Sequence, residues 1–181
     1  MKTLSLVFGA LICLAALTAR SAQAQAADAE DPLAAITNYV KISDHLSTSG
    51  QIAYDQIEAI KEAGFEVVIN LAPARDDANG LEGFLVVEQG MSYVHIPVSW
   101  QEPSQRDLQL FFDVMKANHD RKVFVHCFAN MRVSAFVYLY RTLHQNITPE
   151  QARIDLEKIW KPEALKQWDA FIKTAQMDHG E

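Results

Sequence analysis

Two short apolar runs constrain this chain more than any other feature of its sequence. "FEVVINLA" at 65–72 and "KVFVHC" at 122–127 are apolar at nearly every position rather than at alternate ones, and a strand with no polar side belongs in a sheet covered on both faces. Such covering comes from helices, and segments of helical period stand on either side of both runs. "IAYDQIEAIKEAG" places Ile52, Ile57 and Ile60 on one side and ends at Gly64, the expected left-handed cap. "LEGFLVVEQG" predicts a short helix ending before Gly90. Ser104 and Asp107 form a capping box for a helix carrying Leu108, Phe111, Phe112 and Met115. Helices are further predicted over 131–144, from Thr148 as cap and Pro149 as first residue to Trp160, and around 163–176. "YVKIS" (39–43) and "SYVHIPV" (92–98) add strands, and "STSGQ" (47–51) reads as turn residues. The order implies an α/β fold with a mostly parallel central sheet flanked by helices, and ligands at the carboxyl ends of the strands.

The first residues, "MKTLSLVFGALICLAALTARSAQAQA", join a lysine, an apolar stretch and small residues in two overlapping A-x-A sites. This predicts a secretory signal peptide over 1–26 and a periplasmic or secreted product. The stretch is shorter than the ~20 residues a bilayer span needs, so no transmembrane segment is expected. Residues 27–35 read as a disordered lead-in and 36–176 as one domain. Loss of Lys2 and Arg20 reduces the 16 basic residues to 14 against 23 acidic ones, a net charge of −9. A surface of that sign does not suit a nucleic-acid partner. Cys13 lies in the signal segment, so Cys127 is left with no partner for an intramolecular disulfide.

"VFVHCFANMRVSAF" (123–136) sets Cys127 at the mouth of a strand-loop-helix unit. The loop amides of Phe128, Ala129, Asn130 and Met131 and the positive end of the following helix can stabilise a thiolate and draw in an anion, and Arg132 adds a bidentate donor for an oxyanion. A lone cysteine that merely packs in a core is the plainer reading.

"VHCFANMRVSAF", with "ISDHLSTSGQ", "GFEVVINLA" and "YVHIPVSWQEPS", resembles the protein tyrosine/dual-specificity phosphatase superfamily, in its small bacterial branch that includes phosphatase-like domains attached to β-lactamase-like hydrolases. The resemblance spans about residues 36–172. It implies a cysteine-phosphatase fold, a phosphocysteine intermediate and a phosphorylated small molecule or phosphoprotein as substrate. It also implies that His126 helps orient the loop and that Ser134 supports the departing thiolate. The family places five residues between cysteine and arginine; here four separate Cys127 from Arg132. Either the loop is one residue shorter and Arg132 takes the family arginine's role, or Asn130 stands where the family has its loop glycine and Val133 stands at the arginine position. The backbone favours the second register, since asparagine follows glycine in tolerance of left-handed geometry.

The resemblance also points to the loop after "YVHIPV" for a general acid. Ser99 stands where an aspartate is usual, and Glu102 is the nearest carboxylate; Asp107 is expected to cap its helix. Arg75 could help hold an anionic substrate. The short spacing raises a rival, rhodanese-type sulfur transfer at Cys127, and the missing aspartate raises another, an anion- or phosphoprotein-binding module without turnover. The six histidines show no metal-ligand spacing and no glycine-rich nucleotide loop occurs, so neither metal nor cofactor is expected.

Overall fold

The structure, a computed structural model, describes residues 31–179; the signal segment expected over 1–26 lies outside the described residues. Five strands, β1 (Val40–Lys41), β2 (Leu46–Ser49), β3 (Val67–Asn70), β4 (Ser92–His95) and β5 (Val123–His126), form one sheet in the order β1-β2-β5-β3-β4. Only the β1-β2 pair is antiparallel. The helices are α1 (Ile57–Glu62), α2 (Glu82–Glu88), α3 (Gln105–Ala117), α4 (Met131–His144), α5 (Pro149–Glu157) and α6 (Lys166–His179), with short 3₁₀ turns at Tyr54–Gln56 and Pro162–Ala164. This is the α/β arrangement with a mostly parallel sheet that the two apolar runs imply. Among the described residues no helix is long and apolar enough to cross a membrane.

Alternate residues of the central strands feed two cores, as a two-residue period requires. Val67, Ile69, Val123 and Val125 pack with Phe111, Phe136, Leu139 and Trp168. Val68 and Phe124 point the other way, to Ile52, Ile57, Ile60 and Val86. Leu33 and Ile36 join this second cluster, both nearly inaccessible, and Ile36 N–H donates to Leu33 O at 2.9 Å. Packed structure therefore begins inside the 27–35 stretch read as a disordered lead-in; two buried aliphatics hold its end down.

One strand reads differently from the sequence. "STSGQ" looked like turn residues, yet Ser47, Thr48 and Ser49 belong to β2 and are buried. Between β1 and β5 the backbone of β2 is paired on both sides, and the hydroxyls find partners: Ser47 Oγ lies 3.2 Å from Tyr39 Oη, and Ser49 Oγ donates to Gly50 O at 2.8 Å. A satisfied hydroxyl costs little to bury, so hydropathy alone mistakes this segment. Helix ends conform better. Gly64 has φ +85°, and Ser104 Oγ and Thr148 Oγ1 accept from the amides of Asp107 and Gln151.

The register places Ser49, His126 and Asn70 side by side at the carboxyl edge of β2, β5 and β3. Cys127 follows one residue beyond that edge.

Candidate active site

Strand β5 delivers Cys127, wholly buried, with its amide donating to Ser49 O at 3.3 Å. The chain then turns through Phe128, Ala129 and Asn130 into α4. Asn130 adopts φ +62°, ψ −2°, the left-handed conformation expected of it as a stand-in for glycine. Its Nδ2 donates to Asn38 O at 2.7 Å and to Thr48 Oγ1 at 3.0 Å, and Asn38 Nδ2 donates to Ala129 O at 3.1 Å. The turn is thus pinned from outside, and Gln51 N–H accounts for Phe128 O at 3.1 Å.

With the carbonyls of Phe128 and Ala129 held by the surrounding chain, most of the amides are left over. Among the described residues, the N–H groups of Phe128, Ala129, Met131, Arg132 and Val133 donate to no protein acceptor, while that of Asn130 faces Ser49 O across the Gly50–Ala129 bridge; the Ser134 amide donates to Asn130 O at 2.8 Å. Amides left over at the start of a fourteen-residue helix, beside a thiol, have the chemistry to receive an oxyanion.

Arg132, the second residue of α4, is largely buried. Its Nε donates to Val98 O at 3.0 Å, and its guanidinium lies 5.2 Å from the Trp100 ring and 5.9 Å from that of Phe128. Its Nη atoms meet no protein acceptor among the described residues, so the planar fork keeps donors for a ligand. Val133, at the family's arginine spacing, has no exposed surface and packs in the main core. The left-handed turn stays at Asn130, as the second register requires, while the guanidinium comes from one residue earlier.

The loop after β4 is anchored to this cradle. Besides Arg132 on Val98, Trp168 Nε1 donates to Trp100 O at 3.1 Å, and Trp100 packs at a tilt against Trp160 and Trp168 at 5.5 and 5.1 Å between centroids. Glu102 sits in that loop, exposed, its amide donating to Ser99 Oγ at 3.1 Å; Ser99 shapes the loop in which the expected aspartate is missing. The support expected of Ser134 toward the thiolate is not what its bonds provide. Its hydroxyl donates to Met131 O at 3.1 Å and accepts from Trp160 Nε1 at 3.1 Å, closing the first turn of α4. Arg75 lies over the Phe128 ring at 5.4 Å and is paired with Asp77 at 2.7 Å.

Sequence reasoning missed the carboxylate beneath the cradle. Glu82, at the start of α2, has no exposed surface. Its Oε1 lies 2.8 Å from His126 Nε2, in a geometry bent away from a linear hydrogen bond, and accepts from Asn70 Nδ2 at 3.0 Å and Tyr93 Oη at 2.9 Å; Oε2 accepts from Gln51 Nε2 at 2.6 Å. Burial pushes the Glu82 carboxyl up, but His126, Tyr93 and Gln51 together outweigh it and leave it below the usual carboxylate range. Burial, and then the Glu82 charge, push the Tyr93 phenol well up. A signal existed: Asn70 and His126 are polar residues closing strands buried on both faces, and such groups must find partners.

An oxyanion cradle with a cysteine at its base, on the carboxyl edge of a mostly parallel sheet, is the architecture of the protein tyrosine/dual-specificity phosphatases. A family profile described as "DSP-PTPase phosphatase fused to NAD+ Kinase" matches residues 35–173, and the chain belongs to that family of phosphatases. The crystal structure of a DUF442 candidate phosphatase from Shewanella putrefaciens CN-32 is similar at 36% identity and TM-score 0.74, covering 83% of this chain and 98% of that one. Pseudomonas aeruginosa TpbA, solved in a cysteine-to-serine form with phosphotyrosine, is similar at 13% identity and TM-score 0.62, over 85% of this chain and 95% of its own. The core domain of the Saccharomyces cerevisiae PP-IP phosphatase SIW14, bound to citrate, is similar at 13% identity and TM-score 0.64, over 76% and 85%. These last two likenesses concern the fold. No curated protein sequence gives a significant match.

Proposed function

We propose that the protein is a cysteine-dependent phosphomonoesterase that works outside the cytoplasm once residues 1–26 are removed. Cys127 attacks phosphorus as the thiolate, forming the S–P bond as the ester P–O bond breaks. The amides of Phe128, Ala129 and Met131, with the amide and guanidinium of Arg132, hold the phosphoryl oxygens, whose charge such donors stabilise best as it spreads in the transition state. Glu102 protonates the leaving oxygen and then takes a proton from the water that releases phosphate. His126 orients the loop, and Ser134 secures the first turn of α4. The observation that carries this reading is the set of unengaged amides, those of Phe128, Ala129, Met131, Arg132 and Val133, beside a buried cysteine.

The substrate is a phosphorylated small molecule or a phosphoprotein, and the reaction calls for neither metal nor cofactor. The test is hydrolysis of an aryl phosphate by the mature protein and its Cys127→Ser variant, with thiosulfate-to-cyanide sulfur transfer assayed alongside. Hydrolysis that disappears with the thiol is the expected result. Equal, negligible rates in both proteins contradict it, and sulfur transfer by the native protein alone would move the chemistry to a persulfide. Tight vanadate binding that survives Cys127→Ser, without turnover in either form, would mark a binding module.

A further inference from the structure

The four-donor nest around Glu82 is built into the core, and its hydrogen bonds lead to both sides of the Cys127 loop. His126 is the residue immediately before Cys127, and its Nδ1 is buried without a protein partner, so Glu82 is the ring's one polar anchor. Gln51 binds Glu82 through its side chain and Phe128 O through its backbone amide, at 2.6 and 3.1 Å. The carboxylate therefore touches neither the thiol nor the amides, yet it fixes the residue that enters the loop and the carbonyl that must turn away from an anion.

We propose that Glu82 is the positioning residue of the cradle: as a buried carboxylate it keeps the His126 ring in place behind Cys127 and, through Gln51, holds the Phe128 carbonyl out of the anion's path. A charge with no exposed surface persists only when paired and fully hydrogen-bonded, and Glu82 has three neutral donors and one ring able to carry the opposite charge. Donors aimed at the sulfur favour its thiolate, so the residue that fixes both His126 and the Phe128 carbonyl also sets how well the loop can stabilise that form. The other groups facing the pair bring no second charge. Tyr93 from β4 keeps its proton, Tyr54 from the 3₁₀ turn lies next to Tyr93, and Asn70 of β3 and Ser49 of β2, beside His126 in the sheet, are neutral. Gly83 leaves room for this arrangement, since a Cβ there would come within 2.8 Å of the Tyr93 ring.

This inference rests on Cys127 acting as a thiolate, and its test needs no turnover, so a failure of the phosphatase reading would not be mistaken for its own. The rate of iodoacetamide alkylation of Cys127 against pH gives the thiol's titration midpoint in the mature protein. Glu82→Gln should raise that midpoint by about one unit, the scale of weakening the hydrogen bonds that favour the charged form. His126→Asn should raise it similarly, and the double variant no further. A loss of melting temperature in Glu82→Gln with an unmoved midpoint would overturn the proposal, because a purely structural group changes stability and not the thiol's titration. Should Glu82→Gln fail to fold, Tyr93→Phe removes a single donor; a smaller upward shift is expected there, and an unmoved midpoint in the folded variant also overturns it.

Discussion

Arg132 shows how much one residue's placement decides. It stands one position short of the family's arginine, and Val133, which holds that position, faces the main core. A buried cation among aliphatics would be unsustainable, so the donor for an oxyanion has to come from Arg132 or from the amides alone. Its Nε is engaged on Val98 O and its guanidinium carbon lies over the Trp100 ring, which limits where the Nη donors can turn. Calorimetric titration with vanadate or phosphate should find that Arg132→Ala weakens binding by about 1.5–3 kcal/mol, the scale of a charge-assisted hydrogen bond. Arg132→Lys should recover little of this, because a point charge replaces neither the fork nor its contact with the Trp100 ring. Unchanged affinity in Arg132→Ala would reduce the residue to a clamp between α4 and the loop after β4.

The elements around the cradle are tied together by polar contacts as much as by apolar ones. α2 reaches β5, β3, β4 and the segment after β2 through the single carboxylate of Glu82. Folding holds that carboxyl below its ordinary value of 4.5. Its contribution to stability is therefore complete above that value and is lost as the pH falls through the lower, folded one. Melting temperature measured against pH should drop on the acid side of 4.5, and the drop should be shallower in Glu82→Gln, which has no carboxyl to protonate there. An identical acid limb in both proteins would show that other carboxylates control it. Neither this nest nor β2 was easy to read in the sequence, for one reason: both bury polar groups that depend on partners distant in the chain, as Gln51 does on Glu82 across 31 positions and Thr48 on Asn130 across 82. A glutamate in a short helix otherwise reads as a solvated charge, and Ser-Thr-Ser-Gly-Gln as a turn.

At the scale of the molecule, the strand-cysteine-loop-helix unit and the sheet it belongs to were legible because continuous apolar runs, glycine stops and hydroxyl caps are local signals. The span of the resemblance, 36–172, agrees closely with the family match at 35–173. The neighbours of the cradle were not local. Trp100, Trp160 and Trp168 come from three separate segments to hold the loop bearing Glu102 against α4. The whole assembly makes sense as an enzyme if the thiol at its base becomes bonded to phosphorus during turnover. Rapid acid quenching of the mature protein with an aryl phosphate, followed by mass spectrometry of the peptide carrying Cys127, tests this most directly. The account predicts a single phosphoryl group on Cys127 that is absent from Cys127→Ser. Steady hydrolysis with no adduct at Cys127, or a sulfur atom in its place, would contradict it.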